Sequence, residues 1–318
     1  MLGFVVKNAG VLSLIQDAGR YGAFNLGLTN GGPADALAFS WANKLCGNEL
    51  NSIAIEISLG GLTLIAQIDC VIAVTGAPMP LTINGHKIPL WRSFMVQAGD
   101  EIHFGFTSTG VRSYLAVQGG FDITPTFGST ATVCRESIGG INGNKLTEND
   151  ILPCKSVLQH KLKQDIKLWL LPEAEQPVYS AEVVLHTILS YQHQQFSTVE
   201  KRLFFNSEYQ VSKLWDRMGY RLDGRAVNTD IDGILSEGIC YGAVQIPADG
   251  QPIVLLNDRQ TIGGYPKIGA VISQDCARLA QCREGDKVRF EPISLSKADN
   301  LFHLHINRFR RVKLIECS

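Results

Sequence analysis

The chain of 318 residues has no run of roughly 18 apolar residues, so no membrane-spanning helix is expected. Met1-Leu-Gly-Phe-Val-Val-Lys7 lacks the basic, apolar and small-residue sections of a signal peptide, which makes the cytoplasm the expected compartment. Charge of one sign is also missing. Lys and Arg number 29 and Asp and Glu 30, which speaks against a nucleic-acid partner or a membrane held by bulk charge. Eight cysteines are scattered with no CxxC pair, so neither a disulfide framework nor a zinc site is expected, and no metal is assigned. His303 and His305 lie two apart, a weak metal signal read here as solvated or core side chains. A P-loop is absent, because Gly139–Leu146 carries Asn144 and Leu146 where Gly and Ser or Thr are needed. GxGxxG after a strand, GxSxG and HExxH are absent too, and no Lys is flanked by Met as in a biotin carrier.

What remains is a chain with 45% apolar residues, enough for a sizeable core, and a length that suggests two domains or one large one. The first half reads as short strands: Ile53–Ile57, Val71–Thr75, Phe94–Val96, Ile102–Phe106 and Tyr114–Val117 are β-branched and aromatic, punctuated by Gly, Asn, Asp and Pro. Asn84-Gly85 between Leu81–Ile83 and His86–Ile88 predicts a hairpin with a type I′ turn. Helices are expected at Asp35–Leu45, after Pro33, and at Thr198–Phe205 with Thr198 as N-cap. The stretch Cys154–Glu182 reads as a boundary region containing one strand, Ile166–Leu171. A second β-rich block then begins near Val183, with Gly233–Gly242, Ile253–Leu256 and Val271–Ser273 as strand or turn candidates. Ala98–Phe104 and Glu284–Phe290 echo each other as a Gly-Asp turn entering an alternating strand. The stretch Leu301–Ile315 alternates apolar residues with Arg308, Arg310, Arg311 and Lys313, as an amphipathic helix would.

Four stretches combine polar side chains with glycine. They are Gln16–Gly22 with Asn30–Asp35; Gln118–Gly120 with Gly128–Thr132, Arg135 and Gly139-Gly140; Trp215–Leu222; and Ser236–Gly238, Gln245, Asp249–Pro252 and Asn257–Lys267. Glycine lets backbone N–H groups approach a carbonyl or carboxylate, Arg forks onto anions, and a carboxylate can serve as a base. The same residues serve structure equally well, with Asp–Arg pairs as salt bridges and glycines as tight turns. The fourth stretch, a polar loop after the apolar run Ile253–Leu256, is the strongest candidate for chemistry.

Gln16-Asp-Ala-Gly-Arg-Tyr-Gly22, Asp216-Arg-Met-Gly-Tyr-Arg-Leu222, Ser236-Glu-Gly238 and the unbroken run Gln245–Lys267 resemble the biotin-dependent carboxyltransferase, or allophanate hydrolase subunit 2, family. The resemblance runs from about residue 3 to 292. Free-standing chains of this length look like the group of 5-oxoprolinase C subunits within it, which includes the KipA-type regulators. The resemblance implies a mainly β fold of two cyclophilin-like β-barrel domains with a few short helices; with the boundary region read above they are expected at 1–160 and 180–295, and 296–318 is left as a basic amphipathic tail. It further implies two partner subunits of a 5-oxoprolinase complex, the KipI-like B component and the LamB/YcsF-like A component. ATP is the implied cofactor, bound by this chain or by a partner, with no covalent biotin here. The complex would open the lactam of 5-oxoproline to L-glutamate. Alternatives within the same resemblance are carboxyl transfer to urea or a related amide, with separate biotin carboxylase and carrier partners, and a KipA-like module that sequesters a kinase inhibitor. For lactam opening, Arg259 and Lys267 are the candidate cations, with Arg20 and Arg217 behind them, and Asp258 or Glu237 is the candidate base. Gln16, Gln118 and Gln260, with Thr261, are candidates for binding the amide.

Overall fold

Short runs of β-branched and aromatic residues bounded by turn residues recur along this chain, and in the computed structural model it forms 22 strands and four α-helices among the described residues, which are 2–155, 166–229, 231 and 233–317. The strands are β1 (Gly3–Ala9), β2 (Leu12–Gln16), β3 (Ala54–Ser58), β4 (Leu62–Ala66), β5 (Cys70–Gly76), β6 (Leu81–Ile83), β7 (His86–Ile88), β8 (Arg92–Val96), β9 (Glu101–Phe104), β10 (Arg112–Val117), β11 (Ile151–Pro153) and β12 (Leu168–Leu170). They continue as β13 (Glu182–Leu189), β14 (Glu208–Trp215), β15 (Gly219–Asp223), β16 (Glu237–Gly238), β17 (Ala243–Gln245), β18 (Ile253–Leu255), β19 (Ile262–Gly263), β20 (Lys267–Val271), β21 (Lys287–Pro292) and β22 (Ile315–Cys317). The helices are α1 (Ala36–Leu45), α2 (Thr198–Asn206), α3 (Ser273–Leu279) and α4 (Leu295–Arg311). None is long and apolar enough to cross a membrane.

Two compact units result. The first comprises residues 1–23, 30–178 and 313–318, and the second residues 24–29 and 179–312. The expected boundary region includes residues 156–165, which lie outside the described residues.

The first unit holds a six-stranded sheet, ordered β11-β1-β4-β9-β6-β7, and a seven-stranded sheet, ordered β2-β3-β10-β5-β8-β12-β22. One core joins their inner faces: Phe4, Val6, Leu64 and Phe104 from the first meet Ile57, Ile72, Val74 and Leu115 from the second. These two sheets enclose the core of this unit with no ladder between them among the described residues, and the closed barrel of the chain lies in the second unit. β5 is buried along its whole length because α1 covers the other side of its sheet. Thr75 Oγ1 donates to the Ala38 carbonyl at 2.6 Å, and the Phe39 and Tyr114 rings meet edge to face at 6.0 Å. Asp35 caps α1 by accepting from Ala38 N at 3.0 Å. The expected hairpin is present, with Asn84 and Gly85 at φ of 49° and 79°.

The second unit is a closed barrel, β13-β20-β17-β18-β15-β14-β21, sealed by the parallel pair of β13 and β21. Leu185, Tyr209, Leu222, Val244, Val254, Ile268 and Phe290 are buried alternately along its strands. α2 closes one side, with Phe204 stacked on Phe290 at 4.4 Å. Its cap is Ser197, which accepts from Glu200 N at 3.1 Å, one residue before the expected Thr198. The expected tail helix starts earlier than Leu301, because Ser294 supplies an N-cap to Lys297 N. It ends at Arg311, and the residues after it form β22, paired with β12 in the first unit.

Candidate functional site

β13 and β20 run antiparallel, and where β13 ends Ser190 ties the chain to the start of β20. Its N–H donates to the Ile268 carbonyl at 3.1 Å, its hydroxyl donates to the Lys267 carbonyl, and that hydroxyl accepts from Gln192 N. The tight turn that follows sets Tyr191 and Gln192 beside Lys267. Gln192 is nearly buried. Its Oε1 accepts from Lys267 N at 2.8 Å, and its Nε2 donates to Glu237 Oε1 at 2.8 Å and to Tyr191 Oη at 3.1 Å.

Glu237 arrives from the two-stranded sheet of β16 and β19, where it faces Gly263. Flanking bonds hold this short ladder: Ile239 N to the Thr261 carbonyl at 3.0 Å and Ile234 N to the Gly264 carbonyl at 2.8 Å. Its carboxylate accepts from Lys267 Nζ, from the Tyr191 hydroxyl and from Gln192. The Lys267 hydrogen bond, followed by that of Tyr191, holds the Glu237 carboxyl below the usual glutamate range. The Tyr191 phenol moves upward, because its proton is held by that carboxylate. The cluster grades from buried Lys267, through Glu237 at 33% side-chain exposure, to Tyr191 at 72%. An ionised carboxylate touching a cation and a phenol, with access to water, can accept a proton and pass one on.

The loop Asn257–Thr261 is fastened underneath. Asp258 and Arg217 form a buried fork, Nε to Oδ2 at 2.9 Å and Nη2 to Oδ1 at 3.0 Å, and Asp258 N donates to the Arg217 carbonyl at 2.9 Å. Arg259, also buried, donates to the Ile239 carbonyl at 3.1 Å and the Leu256 carbonyl at 3.2 Å, with the rings of Phe24 and Tyr241 at 5.6 and 5.8 Å. Asp258 therefore has both oxygens on a guanidinium, and Arg259 anchors backbone. Of the two candidate bases, Glu237 is the one with solvent access.

Gln245 completes the arrangement. It is the Cα partner of Lys267 across β17 and β20, it is 2% exposed, and its Nε2 meets no acceptor among the described residues. Gln245 Nε2 and Gln260 Nε2 both converge on Gly263: a Cβ there would lie 2.9 Å from the first and 3.2 Å from the second. Among the described residues no group of three or more His, Cys, Asp and Glu side chains is placed to hold a metal ion.

The profile described as "Carboxyltransferase domain, subdomain A and B" matches residues 26–292. The chain belongs to this carboxyltransferase family. Over 302 residues it is 35% identical to the C subunit of the 5-oxoprolinase of Haemophilus influenzae, covering 94% of each chain. With that of Escherichia coli it shares 35% over 295 residues, 92% of each. Among solved structures, the urea amidolyase of K. lactis superposes with a TM-score of 0.90 at 25% identity, over 99% of this chain. This chain spans 20% of that larger protein's length.

Within this family member, the site residues expected from sequence divide between the units. Glu237, Lys267, Gln260 and Thr261 lie on or beside the β16–β19 ladder, with Arg217, Asp258 and Arg259 as its supports. Gln16 and Arg20 belong to the first unit and are buried in its backbone. Gln16 donates to the Thr132 carbonyl at 3.1 Å and accepts from Gly32 N at 3.0 Å. Arg20 donates to the carbonyls of Thr126, Ser129 and Ala131 at 3.0, 3.3 and 3.1 Å. Gln118 lines a separate cavity of about 260 Å³ in that unit with Cys46, Val71 and Trp169. Tyr191 and Gln192 are not among the site residues expected from sequence, since a Tyr-Gln pair after a strand has no catalytic motif. Gln245 was noted only as part of a polar stretch.

Proposed function

We propose that this chain acts as the C subunit of an ATP-dependent 5-oxoprolinase, together with the A and B subunits, in the cytoplasm. The observation that carries this reading is the end-to-end match to 5-oxoprolinase C subunits, 94% of both lengths at 35% identity. The site supplies suitable groups for opening a cyclic amide. Water adds to the lactam carbonyl carbon, the ring C–N bond breaks, and the nitrogen takes up a proton to become the amine of glutamate. Glu237, kept ionised by Lys267 and Tyr191, accepts the water proton. Tyr191 Oη, on the same carboxylate, is placed to return a proton to the leaving nitrogen. Lys267 offers positive charge to the oxygen on which negative charge develops.

ATP does not fit this cluster. Among the described residues the cations here already have partners, Lys267 on Glu237, Arg217 on Asp258 and Arg259 on backbone carbonyls. The reading therefore places nucleotide binding on one of the partners, and no step at this site runs through it.

Carboxyl transfer to an amide is the second reading. It is favoured by the 28% identity over 92% of this chain to the urea amidolyase of Saccharomyces cerevisiae. This chain covers 17% of that protein, so the reading requires biotin carboxylase and carrier partners. Substrate-dependent ATP hydrolysis separates the two. With the A and B subunits and this chain assembled, 5-oxoproline stimulates ATP hydrolysis and glutamate appears. Stimulation by urea with biotin carboxylase and carrier, and none by 5-oxoproline, would transfer the assignment to the second reading.

A further inference from the structure

Gln245 holds a carboxamide in a place where a carboxamide is costly. A buried donor without a partner loses its hydration and gains nothing in exchange. Nε2 of Gln245 is such a donor among the described residues, in a side chain 2% exposed. A Leu or Met of similar volume fits this buried position of β17 without that penalty, so the carboxamide calls for an occupant that uses it.

Its surroundings restrict the occupant. Lys267 is its cross-strand partner, and Lys267 carries Glu237 on its ammonium. A second amide nitrogen, Gln260 Nε2, converges on the same glycine, Gly263. Two amide N–H donors close together call for an oxygen acceptor. The ionised Glu237 nearby disfavours an anion, so the acceptor is a neutral carbonyl. A glutamine carboxamide also presents donor and acceptor side by side along one edge. Its complement is an amide with C=O and N–H on the same edge. A five-membered lactam is held in that cis form by its ring, and urea and primary amides also present it. An open-chain secondary amide is trans and presents the two groups on opposite edges.

We propose that Gln245, assisted by Gln260, is the specificity residue of this site, pairing with the cis-amide edge of the substrate and seating its carbonyl beside Glu237 and Lys267. This rests on the cyclic-amide reading above and deepens it. A site built around a hydrogen-bonding side chain rejects analogues that cannot complete the pair.

The test uses the full chain with two neutral probes, 2-pyrrolidinone and N-methylacetamide, titrated by calorimetry or ligand-observed NMR. The wild-type chain binds 2-pyrrolidinone in preference to N-methylacetamide. Gln245→Met weakens 2-pyrrolidinone about tenfold, the worth of one or two neutral hydrogen bonds, and raises the Tm by about 2–4 °C by removing the unmet donor. Gln245→Glu, which keeps the shape and removes the donor, weakens it as well. Equal binding of the two probes, unchanged binding in Gln245→Met, or a Tm that falls together with affinity overturns the proposal, the last because it marks a structural role. Turnover in the assembled complex separates this from the functional reading. A wild-type complex that releases no glutamate defeats the reading alone, whereas a Gln245→Met complex with unchanged KM for 5-oxoproline defeats this inference alone.

Discussion

Asp258 and Glu237 are both carboxylates beside cations, and their partners separate their roles. Asp258 sits in a buried fork with Arg217, with side chains 9% and 6% exposed, so either partner alone would be an uncompensated buried charge. Asp258→Asn is expected to destabilise the fold by about 3–5 kcal/mol, seen as a lower denaturation midpoint. A midpoint that stays put, with activity lost, would return Asp258 to the list of bases. Glu237 is the opposite case. Glu237→Gln keeps a neutral acceptor for the buried Lys267 ammonium and changes a side chain that is itself 33% exposed, so it should cost less stability than Asp258→Asn while lowering kcat about 10²–10⁴-fold. The pH dependence follows from the sign of its shift. Its carboxyl lies below the ordinary value, so the reactive ionised form persists through neutral pH and is lost only as pH falls through that lowered value. Lys267→Met removes the main cause, and the acid limb of the rate profile should move up toward the ordinary glutamate value of about 4.3. A limb that stays where it was would detach Lys267 from the chemistry. At this scale the sequence reveals the polar stretch but not its division of labour, since Asp258 and Glu237 differ only in what surrounds them.

The short ladder of β16 and β19 is the element that carries the site, and its tolerance for side chains is narrow. Gly263 faces Glu237, and a Cβ there would approach Ile239 Cδ1 to 2.5 Å as well as the two amide nitrogens. Gly263→Ala is therefore expected to push Gln245 and Gln260 aside and to raise KM for the substrate more than it lowers kcat. Unchanged kinetics would show that the amides do not act there. Strand-rich segments such as Cys70–Gly76 were legible because β-branched runs bounded by turn residues have few other solutions, and Asn84-Gly85 because its φ angles suit Asn and Gly. α3 was not legible. Its seven residues are too few to show a helical period, and Val271–Ser273, expected as strand or turn, spans the end of β20 at Val271 and the start of α3 at Ser273. The two-residue strands β16 and β19 were beyond reach for the same reason, since alternation needs more positions than they have.

At the scale of the whole chain, a mainly β protein with one closed barrel carries the candidate chemistry in one unit, while the polar loops around Gln16 and Arg20 bind the backbone of the other. A glycine-rich polar stretch looks alike in sequence whether its polar atoms meet a ligand or a carbonyl of the same chain, so composition could not tell the two apart. The proposed function requires this chain for opening a lactam, with Glu237 acting in it. The measurement is ATP-dependent glutamate release from 5-oxoproline by the purified A and B subunits, alone, with this chain, and with its Glu237→Gln variant. Release is expected only with the wild-type chain, with a loss of at least about 100-fold in the variant while the complex is still assembled. Equal release without the chain, or undiminished release with Glu237→Gln, would contradict it.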